Sequence, residues 1–510
     1  MSSKLKVYFT SDIHGFVFPT NHADQSIKPM GLLGMIPQFQ KDGNTLVLDC
    51  GDTIQGSPLT YYCQKESLPN PMIQVMNAAG YDYITLGNHD FNYGYDSLKE
   101  YLEGIHAKCV CANVKDVSAR LPIVPYVLHT LDNGLRIGIT GVVTNWVNRW
   151  EKPETLSHFE ISDPFQAAQN ALSAIEAQCD FTICLYHGGI EKDIDTGRLQ
   201  SDTDENIACR ICEELKFDLL LTGHQHIALE NKTYCGTHLV QPPANATHFV
   251  KVDWLETGEI ASSLIPSNLD SMPPIASSLT PLKNALDTWL DTPVGRLNRP
   301  LWPGEKLDMA LHGTPIANFI NQVQLEASGA EISCTSLPNE MRGFDQNVSV
   351  RDVVATYVYA NTLVVFEVNG AVLKSALERC AAYFDITADG EITISRDFLL
   401  PKIAHYNYDF FAGICYTFDL SKPIGQRVAS IMYREKSVEP NDKLTLCMNN
   451  YRATGVGGYE AYLQCKIIRQ INVDVSELLL DYLLKYRDVS VRAESPLTIL
   501  YPKDKIPSVK

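Results

Sequence analysis

Five short clusters of Asp, Asn and His occupy the first half of the chain, each at the end of an apolar, strand-like run. Asp12-x-His14 follows Lys6 to Thr10, Gly51-Asp52 follows Thr45 to Leu48, and Gly87-Asn88-His89-Asp90 follows Tyr83 to Leu86. His187 comes after Phe181 to Leu185, and Gly223-His224-Gln225-His226 after Asp218 to Leu221. This repetition constrains the fold more than composition does. In an open α/β sheet the loops beyond the carboxyl ends of the strands meet, so residues far apart in sequence converge there. Gly15, Gly51, Gly87, Gly188 and Gly223 suit the tight turns this requires. One Asp or His after a strand is ordinarily a cap or a solvated loop residue; five in the same context point to a shared site.

The residue types restrict the chemistry. Imidazole, carboxylate and amide oxygen suit Mn, Zn, Fe or Mg, and a set without thiolate argues against a closed structural zinc site. Two divalent ions about 3.5–4 Å apart, bridged by one carboxylate, clamp the attacking and leaving oxygens of a phosphoryl displacement and lower the pKa of a bound water to about 7. The clusters therefore read as a two-metal hydrolytic site.

A chain of 510 residues, 45% hydrophobic, exceeds what one core supports. Strand-like and helix-like segments alternate to about Ile265, as in an α/β layer fold. Residues 266–299 form a linker: a turn-rich stretch from Pro266, then helical spacing of Leu279, Leu282, Leu286 and Leu290 over Ser277 to Leu290. A second domain, 300–510, follows, with helices expected over Pro315 to Ala327 and Leu373 to Ala382, and strands over Thr362 to Val368, Gly413 to Asp419 and Lys443 to Met448.

No run of 18 apolar residues is present, which excludes a membrane-spanning helix, and the first residues lack the apolar stretch of a signal peptide. The expected location is the cytoplasm. The 14 cysteines are scattered, and Cys50, Cys184, Cys415 and Cys447 read as small buried hydrophobes in strand-like stretches. Neither Cys109-x-Cys111 nor Cys209-x-x-Cys212 has the second pair that a zinc ribbon needs. A net charge of −18 argues against binding a nucleic acid polymer but not against a small phosphorylated substrate.

The order Asp-x-His, Gly-Asp, Gly-Asn-His-Asp, His, Gly-His-x-His resembles the calcineurin-like metallophosphoesterases, and the second domain resembles the C-terminal domain of the 5′-nucleotidases. The resemblance implies an α/β N-terminal domain, residues 1–265, with four layers in which helices sandwich the sheets, and a smaller α+β substrate-binding domain. It implies one divalent metal on Asp12, His14 and His226, a second on Asn88, His187 and His224, and Asp52 between them. His89 would meet the phosphate or protonate the leaving oxygen, with Asp90 orienting it as a dyad partner. The alternative for Asp90 is a helix cap.

In the second domain, Asn449-Asn450-Tyr451-Arg452 resembles the segment whose aromatic residue stacks on a nucleobase, and Tyr359 matches the opposing ring. The implied substrate is a small nucleotide. Ile332 to Leu337 lacks the glycine run and Arg of typical 5′-nucleotidases. With Tyr406-Asn407-Tyr408-Asp409, it resembles the 2′,3′-cyclic-nucleotide 2′-phosphodiesterase and 3′-nucleotidase branch, whose work is nucleotide breakdown. His248 either approaches the site or packs. Two other readings compete: a nucleotide-binding sensor with an inactive metal site, and a nuclease of the same superfamily.

Overall fold

The computed structural model describes residues 3–199, 204–359, 361–400, 402–471 and 473–501. Its contacts divide the chain into two units, residues 1–286 and 287–510. The division falls inside the helix Ile275–Leu290, in the stretch read from the sequence as a linker.

In the first unit two sheets lie face to face. One has seven strands in the order Ile260–Pro266, His248–Leu255, Ser3–Thr10, Thr45–Asp49, Tyr83–Ile84, Lys108–Val110 and Ile123–Val124. The other has six: Leu229–Tyr234, Thr237–Gln241, Leu219–Thr222, Phe181–His187, Arg136–Val143 and Tyr126–Thr130. Strand alternation explains the pairing. Val7, Phe9, Leu46 and Leu48 from the first sheet and Ile183, Leu185, Leu219 and Leu221 from the second fill one buried cluster. Each such side chain, fully buried, contributes about 1.5–3 kcal/mol. The intervening residues Cys184, Tyr186 and Leu220 point the other way and meet Phe165, Ala168 and Leu172 of the helix Pro164–Ile175 and Ile211 of the helix Ala208–Glu214. Against the first sheet, the helices Pro71–Ala79 and Gly94–Gly104 pack together, where the buried Tyr101 hydroxyl donates to Met76 Sδ at 3.0 Å.

The strands Ser3–Thr10, Thr45–Asp49 and Tyr83–Ile84 run parallel, as do Arg136–Val143, Phe181–His187 and Leu219–Thr222. Their carboxyl ends, where all five clusters begin, therefore lie at one edge of each sheet.

The second unit is built on a mixed five-stranded sheet, ordered Asp409–Ala412, Ile332–Ser336, Lys443–Asn449, Leu363–Asn369 and Lys466–Ile471. Helices Pro315–Ser328 and Gly370–Ala381 pack on it. Smaller sheets of two, three and four strands complete the described part of the unit. Among the described residues no helix is long and apolar enough to cross a membrane.

Candidate metal centre

The loops after the strands adopt a backbone that side-chain-bearing residues rarely take. Asp12, His14, Asp52, His224 and His226 have φ of 55°, 51°, 55°, 72° and 58°. Such left-handed residues are strained and persist where the surroundings fix them, commonly at functional sites. Two glycines are needed for space: a Cβ on Gly87 would collide with the backbone nitrogen and Oδ1 of Asp52, and one on Gly223 with Ser11 Oγ.

The side chains converge in two overlapping groups, Asp12 with His14 and His226, and Asp12 with Asp52 and His187, the donor atoms of each group within 4.8 Å of one another. His226 Nε2 lies 3.3 Å from Asp12 Oδ1 and 3.2 Å from His14 Nε2. His187 Nε2 lies 3.3 Å from Asp52 Oδ2 and 3.2 Å from Asn88 Oδ1, and that amide oxygen is 2.9 Å from His224 Nδ1. Asp52 Oδ2 also faces His14 Nε2 at 3.9 Å, while Asp52 Oδ1 accepts from the His89 backbone at 2.7 Å. All seven residues expected as ligands are thus drawn to one place.

The reverse sides of the imidazoles suit them to hold cations. His187 Nδ1 meets Cys50 O at 2.7 Å, His14 Nδ1 meets Gln55 O at 3.0 Å, and His224 Nε2 meets Glu205 Oε1 at 2.8 Å. A carbonyl or carboxylate can only accept, so those nitrogens carry hydrogens, and the opposite nitrogens, turned into the cluster, are the ones that can offer a lone pair to a cation. The donor set, four imidazoles, two carboxylates and an amide oxygen, fits divalent cations of borderline hardness. Burial pushes the His14 imidazole down to about 4, which keeps it a neutral donor. For His187 burial acts in the same direction, but the Asp52 charge overrides it and raises the imidazole to about 9, so a cation held there would take the place of the proton on Nε2. Burial would raise Asp52, yet the His187 and His89 charges hold it well below the usual carboxylate range.

One expectation is corrected. Asp90 does not orient the His89 ring. Its carboxylate accepts from the backbone N–H groups of Asp52 at 2.9 Å, Thr53 at 2.8 Å, Ile54 at 3.0 Å and Gly87 at 2.8 Å, clasping two of the cluster loops together. The ring partner is Asn92, whose Oδ1 is 2.7 Å from His89 Nδ1. In the turn His89–Phe91 the Asp90 side chain is turned back toward those amides, and Asn92, three residues on from His89, comes alongside the ring. Nor is Asp90 a helix cap, since the next helix, Gly94–Gly104, has Tyr93 before it.

Glu205, Asn92 and Trp150, which stacks on His224 at 5.5 Å between centroids, went unnoticed in the sequence. Only Asn92 carried a signal, its spacing from His89. His248 opens the strand His248–Leu255 opposite Pro266 and belongs to neither group. Its segment helps in another way, for the Asn245 N–H donates to Asp12 O at 2.8 Å. Cys109, Cys111, Cys209 and Cys212 are buried free thiols, as are Cys50, Cys184 and Cys447, but Cys415, expected to be buried, is exposed at the start of the strand Cys415–Asp419.

In the second unit Tyr359 and Tyr451 are both half-buried. Leu363 pairs with Asn449, so Tyr359, shortly before one strand, and Tyr451, just after the other, leave the sheet at the same end. Arg452 joins the two motifs noted in the sequence: buried, it pairs with Asp409 at 2.8 Å, donates to Tyr406 O at 2.7 Å and lies 4.2 Å over the Tyr459 ring. Burial, and next the neighbouring Tyr406, push the Tyr359 hydroxyl up.

Residues 5–228 match the calcineurin-like phosphoesterase family and residues 293–464 the 5′-nucleotidase C-terminal domain. A Staphylococcus aureus protein described provisionally as a 5′-nucleotidase, solved in complex with α-ketoglutarate, is 32% identical; the alignment covers 97% of this chain and 99% of that one, with a TM-score of 0.88. The Haemophilus influenzae 2′,3′-cyclic-nucleotide 2′-phosphodiesterase/3′-nucleotidase is 25% identical over 88% of this chain and 80% of its own length. The trifunctional nucleotide phosphoesterase protein of Bacillus subtilis is 26% identical over 97% of this chain, which spans 39% of that longer protein.

Proposed function

Because the chain belongs to the calcineurin-like phosphoesterases that carry a 5′-nucleotidase C-terminal domain, we propose that it hydrolyses phosphoric esters of nucleotides, acting as a 2′,3′-cyclic-nucleotide 2′-phosphodiesterase and as a 3′- or 5′-nucleotidase. The observation that carries this reading is the convergence of seven ligand-type side chains from five strand ends, with the outer nitrogens of three imidazoles tied to acceptors.

Asp12, His14 and His226 would hold one divalent cation and Asn88, His187 and His224 the other. Asp52 would lie between them, as its Oδ2 faces both His187 and His14. When bound, such a pair of cations supplies Lewis-acid stabilisation of phosphoryl transfer and a water acidic enough to attack at neutral pH. Asp90 holds the Asp52 and Asn88 loops in register through its four backbone bonds. His89, with Nδ1 engaged by Asn92, keeps Nε2 for the leaving oxygen and gives it a proton there. Tyr359 and Tyr451 would stack on the base, an interaction worth about 1–3 kcal/mol per stacked base and tolerant of base identity. The cytoplasm is the proposed compartment, supported by the burial of Cys50, Cys184, Cys334, Cys380 and Cys447 as small hydrophobes.

The test is a panel of 5′-AMP, 3′-AMP and 2′,3′-cyclic AMP with Mn, Zn, Fe or Mg, assayed for phosphate or monoester release. We expect turnover of at least one nucleotide and its loss in His187→Ala. No turnover with any cation, or full activity in His187→Ala, would refute the proposal.

A further inference from the structure

We infer that Glu151 is a positioning residue for the reaction, acting through Asn92 to decide which nitrogen of His89 carries the proton. The inference rests on the role proposed above for His89. Three side chains form a chain of contacts. His89 Nδ1 is 2.7 Å from Asn92 Oδ1, Asn92 Nδ2 donates to Glu151 Oε2 at 2.8 Å, and Glu151 Oε1 accepts from the Lys152 backbone at 2.7 Å.

An amide side chain by itself does not determine which of its ends faces a histidine, since oxygen and nitrogen are nearly the same size. Glu151 removes that freedom. A carboxylate only accepts hydrogen bonds, so the amide nitrogen of Asn92 must face it and the carbonyl oxygen must face His89. That oxygen also only accepts, so Nδ1 carries hydrogen in both the neutral and the protonated ring. The exchangeable proton is then confined to Nε2. Were the amide reversed, its N–H would oppose Nδ1, the neutral ring would take the other tautomer, and the protonated ring would meet N–H against N–H.

Glu151 is 7% exposed and 59 residues away from Asn92 in sequence. Burying a carboxylate is unfavourable unless donors compensate it, and here the Lys152 backbone and Asn92 do so. The segment bearing it also supplies Trp150, stacked on His224, so the same turn reaches both the metal cluster and the His89 chain.

The experiment compares the metal-loaded full chain with Glu151→Gln, with His89→Ala and with the double variant Asn92→Asp/Glu151→Gln, measuring kcat and KM for 3′-AMP and for p-nitrophenyl phosphate. In Glu151→Gln the new amide can turn its nitrogen toward Asn92 and reverse it. We expect kcat for 3′-AMP to fall about tenfold or more, with KM within about twofold, because the lost interaction serves the transition state. The nitrophenyl ester, whose leaving group needs no proton, should lose clearly less. In the double variant the carboxylate introduced at position 92 accepts directly from Nδ1 and the amide introduced at position 151 donates to it, so kcat should recover to within about threefold of the wild type. Wild-type kcat in Glu151→Gln, an equal loss on both substrates, or no recovery in the double variant overturns the inference while leaving His89 its role, provided His89→Ala is impaired. Full activity in His89→Ala overturns both.

Discussion

Asp90 shows how a residue with the expected identity can have a different task. Its two oxygens take four backbone N–H groups from two loops, and an amide in its place would set its own N–H against some of those donors. Asp90→Asn should therefore lose roughly 1–3 kcal/mol or more of stability through buried donors left unsatisfied. It should also bind Mn less tightly, which calorimetry and metal titration will measure. An unchanged melting temperature and metal affinity would show that the clasp holds nothing. At this scale the ligands were legible because Asp, Asn and His after apolar runs announce themselves. What oriented them was not. The acceptors behind His187 and His14 are backbone carbonyls of Cys50 and Gln55, which leave no mark in a sequence, and Glu151 meets Asn92 across 59 residues.

The strands place these residues by running parallel to a common edge, and the strand Thr45–Asp49 ends on a buried carboxylate that the metal cluster does not use. Asp49 accepts from Thr10 Oγ1 and Thr53 Oγ1, both at 2.7 Å, and from the Gly51 N–H at 3.0 Å, yet burial raises it to about 7. A folded-state pKa above the unfolded value means that the native chain keeps a proton the unfolded chain releases. This contribution is fully present below about pH 4 and is lost as pH rises to about 7, with roughly 1.4 kcal/mol given up for each pH unit crossed. Urea unfolding of wild type and Asp49→Asn should show the wild type losing stability relative to the variant from pH 5 to pH 8. A difference independent of pH would assign that titration elsewhere. Periodicity located the elements well, and the strand expected over Tyr83 to Leu86 is the instructive exception: its ladder covers only Tyr83–Ile84. The chain leaves the sheet early so that Gly87 can lie against Asp52, a packing demand that alternation of residue types does not express.

Across the whole molecule, the two units carry the two sets of residues on which the proposed nucleotide hydrolysis depends. The first gathers the ligand set; the second sets Tyr359 and Tyr451 at one end of a sheet, with Tyr451 next to the buried Arg452 that pairs with Asp409. The tyrosines were found through resemblance and not through pattern, because aromatic residues beside strands are common in any core. With a net charge of −18, cations held by the cluster would be the natural attraction for an anionic substrate. The decisive measurement is to strip the protein with a chelator and return Mn stepwise while following phosphate release from 3′-AMP or 2′,3′-cyclic AMP, whichever is turned over. Activity should be absent in the stripped protein, rise with added metal and level off at about two equivalents per chain, as a two-cation site requires. Hydrolysis that persists without metal, or a plateau at one equivalent, would contradict the two-metal centre.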